Sequence, residues 1–413
     1  MRPPAFMLIA GEASGDLLAA ELVAALREEW AALSPSTADL QPLWTPLEPR
    51  FFGAGGPRMK AAGVDIACDM TAHAVIGLAE ALRGYLQFRR IFARLHQMAL
   101  ERLPDVIVCV DFAGFNRRFA AAIRRHLRTR HGHFRNWNPR LVQYVSPQVW
   151  GSRENRVFQI ARDYDLLLSL FPFEKEWYAR RVPQFRVEFV GHPLVDRYAG
   201  LPRPERGASL LDPSHPLVLL LPGSRESELR RHLPAMLGAL ALLRARVPGL
   251  RARLVVPQET LLQQARTHAL PPELELRVGG LPESLTEADV AIASTGTVTL
   301  ECAWFGVPTV ALYRTSWSTY QIGKRIIKVS HLAMPNLLAG EPVFPEFIQD
   351  AASAENLAAA AHDLLTDLPR RQQIQARLAE VVRSLGPPGA SHRAARAILG
   401  LVQRPVEAGG FSV

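Results

Sequence analysis

The residues of this chain best suited to chemistry stand directly after short apolar runs. The first group is in the string IAGEASGD, where an apolar run stops at Gly11 and the acids Glu12 and Asp16 surround Ala13, Ser14 and Gly15. An Ala/Leu-rich helical pattern follows at once. Such a joint suits a ligand that approaches the backbone closely, because glycine has no Cβ. It suits a capped helix start equally well, with Ser14 or Asp16 as the cap and the acids favoured by the helix dipole. The spacing is not a GxGxxG dinucleotide fingerprint.

Three later joints have the same form. In VIVCVDFAGFN the run 106–110 ends at Asp111, among aromatic and small residues. A carboxylate in a partly apolar setting suits a general base, and a capping or buried structural acid leaves the same signature. In LLLPGSRESE a turn leads to Ser224, Arg225 and Glu228 at a helix start, where N–H groups, a hydroxyl and a guanidinium can receive a phosphate. In AIASTGTVTLE, Thr295, Gly296 and Thr297 open a helix, and Glu301 lies four residues beyond Thr297 on the same face. The small residues can hold a diphosphate and the carboxylate can accept from ribose hydroxyls.

The elements that position these joints are strands and helices in alternation. FMLIA, VIVCV, LVQYV, LLLSL and VEFVG form a first set of apolar runs; LVLLL, ARLVV, DVAIAS and TVALY form a second. Runs without polar alternation, separated by helices, predict parallel sheets covered on both faces. A turn-rich stretch near 193–214 separates the sets. The expected architecture is α/β, with two Rossmann-like parallel-sheet domains over 1–195 and 196–352. A helical segment, 353–413, follows, part of it packing back on the first domain. Ligands of open parallel sheets bind beyond the C-terminal ends of the strands, which is where all four joints lie.

Bulk properties narrow the function. The 413 residues carry 48 basic and 39 acidic side chains, a formal charge of +9. That excess favours phosphate-bearing partners, but no nucleic-acid-binding module is present. No apolar run reaches the ~18 residues of a bilayer span, and no signal pattern opens the chain, so a cytoplasmic location is expected. Cys68, Cys109 and Cys302 are scattered and make no CxxC pair, and no metal site is expected. The segment 77–103 is basic and amphipathic. Leu82, Leu86, Ile91, Leu95 and Met98 form an apolar stripe beside Arg83, Arg89, Arg90 and Arg94. Such a helix either packs on a sheet or lies on an anionic membrane.

The strings together resemble the lipid-A-disaccharide synthase family of inverting glycosyltransferases. AGEASGD, GAGGPRM, VIGLAEAL, VSPQVW, FPFEKEWY, FVGHPLVD, LLPGSRESE, STGTVTLE and PNLLAG occur in order across roughly residues 5–345. The resemblance implies a glycosyltransferase-B architecture with its site in an interdomain cleft. It implies a UDP-2,3-diacylglucosamine donor and a 2,3-diacylglucosamine 1-phosphate acceptor. The product is the β-1′,6-linked lipid A disaccharide, and no cofactor is needed. Carried over by motif, Asp111 is the base. Ser224, Arg225 and Glu228 fall in the donor loop, Thr295, Gly296 and Thr297 at the diphosphate, Glu301 at the ribose and Asn336 near the cleft. Gly11, Glu12, Ser14 and Asp16 fall on the acceptor side, the glycines admitting the acyl sugar. Gly114 stands where the family usually has a second Asp, and Ser152 replaces an aromatic. A UDP-sugar epimerase of the same architecture and a non-catalytic acyl-sugar-binding relative are the alternative readings. Because both implied substrates are lipids, the resemblance also implies peripheral attachment to the inner leaflet of the inner membrane; a homo-oligomer is compatible with it.

Overall fold

The computed structural model describes residues 3–33, 48–70, 81–129, 136–201 and 211–403; of residues 81–86, 322 and 403 only the backbone is described. The segments 34–50 and 130–140, rich in Pro, Thr, Asn and Trp, lie mostly outside the described residues. The chain divides into two compact units, Met1–Arg197 with Gly386–Val413, and Tyr198–Leu385. The helices after residue 353 form no third body: the chain leaves the second unit at Leu385 and returns to the first.

The first unit is built on seven strands: β1 (Ala5–Ala10), β2 (Arg50–Gly55), β3 (Asp65–Asp69), β4 (Val106–Val110), β5 (Arg140–Tyr144), β6 (Leu166–Ser169) and β7 (Val187–Phe189). Their order across the sheet is β3-β2-β1-β4-β5-β6-β7, with every pair parallel. Period-two geometry splits β1 between two cores. Phe6, Leu8 and Ala10 enter one with the helix Ala13–Leu33, and Ala5, Met7 and Ile9 enter the other with the helices Ala81–Arg102 and Ala113–Thr129. Burial on both faces is why these strands are continuously apolar. Each fully buried Leu, Ile or Met contributes about 1.5–3 kcal/mol.

The second unit has six strands: β8 (Leu217–Leu221), β9 (Arg251–Val256), β10 (Leu274–Val278), β11 (Val290–Ser294), β12 (Thr309–Tyr313) and β13 (Glu346–Ile348). Their order is β10-β9-β8-β11-β12-β13, again parallel. Each sheet begins in its middle, winds to one edge and then crosses back. The reversal falls between β1 and β4 in one sheet and between β8 and β11 in the other. Crevices at such reversals are where doubly wound sheets bind ligands.

The final helix, Ala390–Gln403, belongs to the first unit. Asp196 accepts hydrogen bonds from the backbone N–H of Gly389 and Ala390 at its start. Its Ala394, Ala395, Ile398 and Leu399 pack into the same core as the helix Ala13–Leu33.

The apolar stripe of segment 77–103 resolves in favour of packing. Residues 77–80 and the side chains of Leu82, Arg83 and Leu86 lie outside the described part. Beyond them, Ile91, Leu95 and Ala99 are buried in the sheet core and Met98 packs on it, while Arg89, Arg90 and Arg94 are exposed. That part of the stripe is not available to a bilayer; the arginine face is. No helix among the described residues is long and apolar enough to cross a membrane.

Candidate functional site

The four joints identified in the sequence sit at the two reversal points. The loops after β1 and β4 flank one, and the loops after β8 and β11 flank the other.

At the first, Asp111 has φ +47° and Phe112 φ +44°. Two successive non-glycine residues in the left-handed region cost on the order of 1–3 kcal/mol each, and such strain clusters at functional sites. The surroundings enforce it. The Asp111 N–H donates to the Tyr144 carbonyl at 2.9 Å, and buried Asn116 donates from Nδ2 to the Asp111 carbonyl at 2.8 Å. Buried Gln143 donates to the Val145 carbonyl at 3.1 Å, and Val145, β-branched, is itself at φ +71°. Asn116 and Gln143 are positioning residues that the sequence did not reveal, because a polar side chain inside a strand or helix looks the same whether it faces solvent or a strained turn. The half-buried Phe112 ring continues into a ladder: Phe112 to Phe88 at 6.2 Å, Phe112 to Phe115 at 5.8 Å, and Phe115 to Phe92 at 5.5 Å.

The acids and glycines of the first joint divide by role. Ser14 is exposed and Glu12 half-buried, both at the reversal. Asp16 is buried and turned into the fold. Its carboxylate accepts from the backbone N–H of Gly56, Arg58 and Met59 at 2.7, 3.0 and 3.1 Å, tying this loop to the GAGGPRM turn. Those three bonds fill most of its acceptor capacity, so Asp16, which the resemblance put on the acceptor side, instead anchors this loop to that turn. Gly11 is also corrected. A Cβ there would lie 2.3 Å from Phe112 Cγ, so the missing side chain admits the Phe112 ring, not a sugar. A Cβ at Gly15 would meet only ordinary contacts, which leaves no close approach to explain.

At the second reversal, Gly223 turns the chain at φ +120°. The Ser224 N–H donates to Glu228 Oε2 at 3.1 Å, and Arg225 Nη1 donates to Glu228 Oε1 at 3.4 Å. Glu228 therefore orients Ser224 and Arg225 from below. Arg225 is exposed. Opposite, Gly296 has φ +147°, and a Cβ there would meet nothing within 4 Å. The Thr299 hydroxyl donates to the Gly296 carbonyl at 2.7 Å, leaving Thr297 exposed at the helix start. One turn on, Glu301 accepts from the Tyr198 hydroxyl at 2.6 Å, and the Tyr198 ring packs on Phe305 at 5.2 Å.

Three further residues were missed as functional support. His232 is wholly buried and spans two loops. Its Nδ1 lies 2.7 Å from the Pro222 carbonyl, and its Nε2 accepts the Arg314 N–H at 3.0 Å. Those two bonds fix the neutral tautomer with the proton on Nδ1, and burial lowers its pKa. Glu174 is buried beneath the loop after β6. It accepts from the Trp150 indole at 2.9 Å and the Phe171 N–H at 3.2 Å, and burial pushes its carboxyl up to about 7. His192 is held neutral, its pKa pulled down to about 3 by burial, with Nδ1 accepting from the Leu194 N–H at 3.1 Å.

Asn336, expected beside the substrate, is fully buried and saturated. Its Nδ2 donates to the Phe344 carbonyl and to Glu346, and its Oδ1 accepts the Phe344 N–H, each at 2.7 Å. It braces the PNLLAG helix against β13, and its amide has no polar atom left to offer a ligand. Among the described residues no group of three His, Cys, Asp or Glu could hold a metal.

The family model described as lipid-A-disaccharide synthetase matches residues 6–399. The chain belongs to that family. The lipid-A-disaccharide synthase of Geobacter sulfurreducens is 37% identical, covering 97% of this chain and 98% of that protein. The glycotransferase of kitacinnamycin superposes with a TM-score of 0.58 at 19% identity, covering 97% of this chain and 99% of that one. UDP-GlcNAc 2-epimerase from Neisseria meningitidis, solved with UDP-GlcNAc, superposes with a TM-score of 0.58 at 9% identity over 97% of this chain and all of that one. The last two likenesses show the glycosyltransferase-B fold, which transferases and epimerases share. The family match separates the readings: the chain is a glycosyltransferase of lipid A biosynthesis.

Proposed function

We propose that the chain transfers a diacylglucosaminyl group from UDP to the 6-hydroxyl of a diacylglucosamine 1-phosphate, with inversion, giving the β-1′,6-linked disaccharide and UDP. The observation that carries this reading is the strained Asp111–Phe112 pair at one sheet reversal, in a family whose members act on a nucleotide sugar and a sugar phosphate. Asp111 takes the proton of the attacking hydroxyl as the new C–O bond forms and the anomeric carbon–phosphate oxygen bond breaks. General-base catalysis of this kind contributes about 10²–10⁴-fold. The Phe112–Phe115–Phe92 ladder supplies an apolar wall for an acyl chain next to that base.

The second unit handles the donor. Arg225 and the N–H groups at the start of the helix Thr297–Trp304 take up the charge that collects on the departing UDP. Glu301, steadied by Tyr198, accepts from the ribose hydroxyls. Glu12 and Ser14 contact the acceptor. Substrates with acyl chains sit in a leaflet, so the exposed Arg89, Arg90 and Arg94 face meets anionic headgroups at the inner membrane, each residue adding about 1 kcal/mol.

The direct test incubates purified protein with UDP-diacylglucosamine and the lipid acceptor, and follows UDP release and product mass. Stoichiometric UDP and disaccharide are expected. An epimerised donor with no disaccharide, or binding without turnover, contradicts the reading.

A further inference from the structure

Glu174 is a buried acid that the transfer step does not use. It lies in the first unit, at the start of the helix Pro172–Ala179 and beneath the loops after β5 and β6. Both carboxyl oxygens are engaged, and every partner is an uncharged donor. The Trp150 indole donates to Oε1 at 2.9 Å and the Phe171 N–H to Oε2 at 3.2 Å, and the Ser146 hydroxyl and the Leu170 N–H complete the set. Ser146 and Trp150 bracket the loop after β5, and Leu170 and Phe171 form the loop after β6, so one side chain ties two loops together. The Trp150 ring meets the Phe173 ring at 5.0 Å and reinforces the tie. Burial pushes the carboxyl up to about 7, a desolvation cost that a well-packed apolar side chain would not carry. An acid in this place is explained by what it holds.

The loop it holds leads straight to Asp111. Ser146 follows Val145, which is strained at φ +71°. The Val145 N–H donates to the Leu168 carbonyl of β6 at 3.1 Å. Gln143 donates from Nε2 to the Val145 carbonyl at 3.1 Å and to the Asp111 carbonyl at 3.4 Å. The carbonyl of Tyr144, the residue before Val145, accepts the Asp111 N–H at 2.9 Å. Residues 143–146 therefore carry partners of Asp111 at one end and of Glu174 at the other. A shift of Ser146 moves the carbonyl that receives the Asp111 N–H, and misplacing a reacting group by about 1 Å can cost about 10²-fold in rate.

We propose that Glu174 is a positioning residue for Asp111, acting through Ser146 and Val145 to keep the Asp111 carboxylate aimed at the hydroxyl it deprotonates. The role requires no contact between Glu174 and substrate. The proposal rests on the function given above, which makes Asp111 the base.

The test is a double-mutant cycle of Glu174→Gln and Asp111→Asn in the full chain, with turnover read as UDP release. An amide in place of the carboxyl turns an N–H₂ group toward a donor, so the tie opens while the volume is kept. Glu174→Gln alone should lower kcat by at least about tenfold, with the KM for the donor and UDP affinity unchanged. In the Asp111→Asn background the same change should cost less than about twofold, because a missing base cannot be misplaced. Ser146→Ala should lower kcat by about threefold and add nothing to Glu174→Gln. Asp163→Asn removes another wholly buried acid of this unit, one paired with Arg162, and should leave kcat unchanged below its melting temperature. An equal fold loss from Glu174→Gln in both backgrounds, at a temperature where every variant is folded, assigns Glu174 to stability and overturns the proposal. So does a wild-type kcat in Glu174→Gln, or a raised donor KM with kcat intact. If Glu174→Gln does not fold, Ser146→Ala in the two backgrounds makes the same comparison: a loss confined to the protein that keeps Asp111 upholds the proposal, and an equal loss or none overturns it. Full activity of Asp111→Asn alone contradicts the base assignment in the proposed function, a different result from additive losses in the cycle.

Discussion

Gly11 lies against the ring of Phe112, so closely that a Cβ at residue 11 would come within 2.3 Å of the ring. The two residues lie just beyond the ends of neighbouring strands, β1 and β4, on either side of the sheet reversal. Phe112 shares its left-handed backbone with Asp111, so the space left by Gly11 helps hold the proposed base in place. Gly11→Ala should push the ring aside, lower turnover by at least about tenfold and lower the melting temperature by a few degrees. UDP affinity should not change, because the donor loops belong to the other unit. Calorimetry with UDP beside a turnover assay checks both halves.

The donor loops make an ordered prediction. Arg225→Ala and Glu301→Ala each remove a charge-assisted hydrogen bond worth about 1.5–3 kcal/mol, so UDP affinity should fall by at least about tenfold. Tyr198→Phe deletes only the hydroxyl that steadies Glu301 and should weaken UDP less than Glu301→Ala does. Isothermal titration gives the ranking; equal affinity across all three variants contradicts the donor assignment.

The central strands were legible because burial on both faces leaves an uninterrupted apolar run, as in AFMLIA or LVLLL. Four strands were not. β2, RFFGAG, is broken by glycines; β3, DIACD, is an edge strand bounded by acids; β10, LELRV, alternates; β13 has three residues. The site divided in the same manner. Loop positions followed from strand ends, but the direction of a side chain did not. Asp16 and Asn336 are acid and amide in distinctive motifs, and both turn inward to satisfy backbone groups. Glu174 gave no sign at all, since a first-turn acid on a helix ordinarily faces solvent.

Glu174 also sets a pH dependence. Its carboxyl is raised from 4.5 to about 7 by burial. Between those values the folded protein holds a proton that the unfolded chain has lost, so this group's contribution to stability falls as pH rises through that window and levels off above about 7. Glu174→Gln should therefore show a shallower fall in melting temperature from about pH 5 to about pH 7 than the wild-type protein. Parallel curves contradict the assignment.

Membrane attachment has a charge test. Arg89→Glu with Arg90→Glu reverses two exposed side chains beside a buried stripe. The protein should sediment with anionic vesicles at low salt and leave them at high salt, and the double variant should lose that binding. Activity on vesicle-borne substrate should drop with it, while activity on detergent-dispersed substrate and the melting temperature hold. Equal loss in both activity assays with a lowered melting temperature assigns the arginines to fold stability instead.

The central claim is that Asp111 is the base. Asp111→Asn keeps the size and the backbone hydrogen bonds of the strained turn and removes the ability to take a proton. Turnover of the variant, measured by UDP release at saturating donor and acceptor, should fall by at least about 10²-fold with UDP affinity and melting temperature unchanged. Retention of more than about a tenth of wild-type turnover contradicts the base assignment.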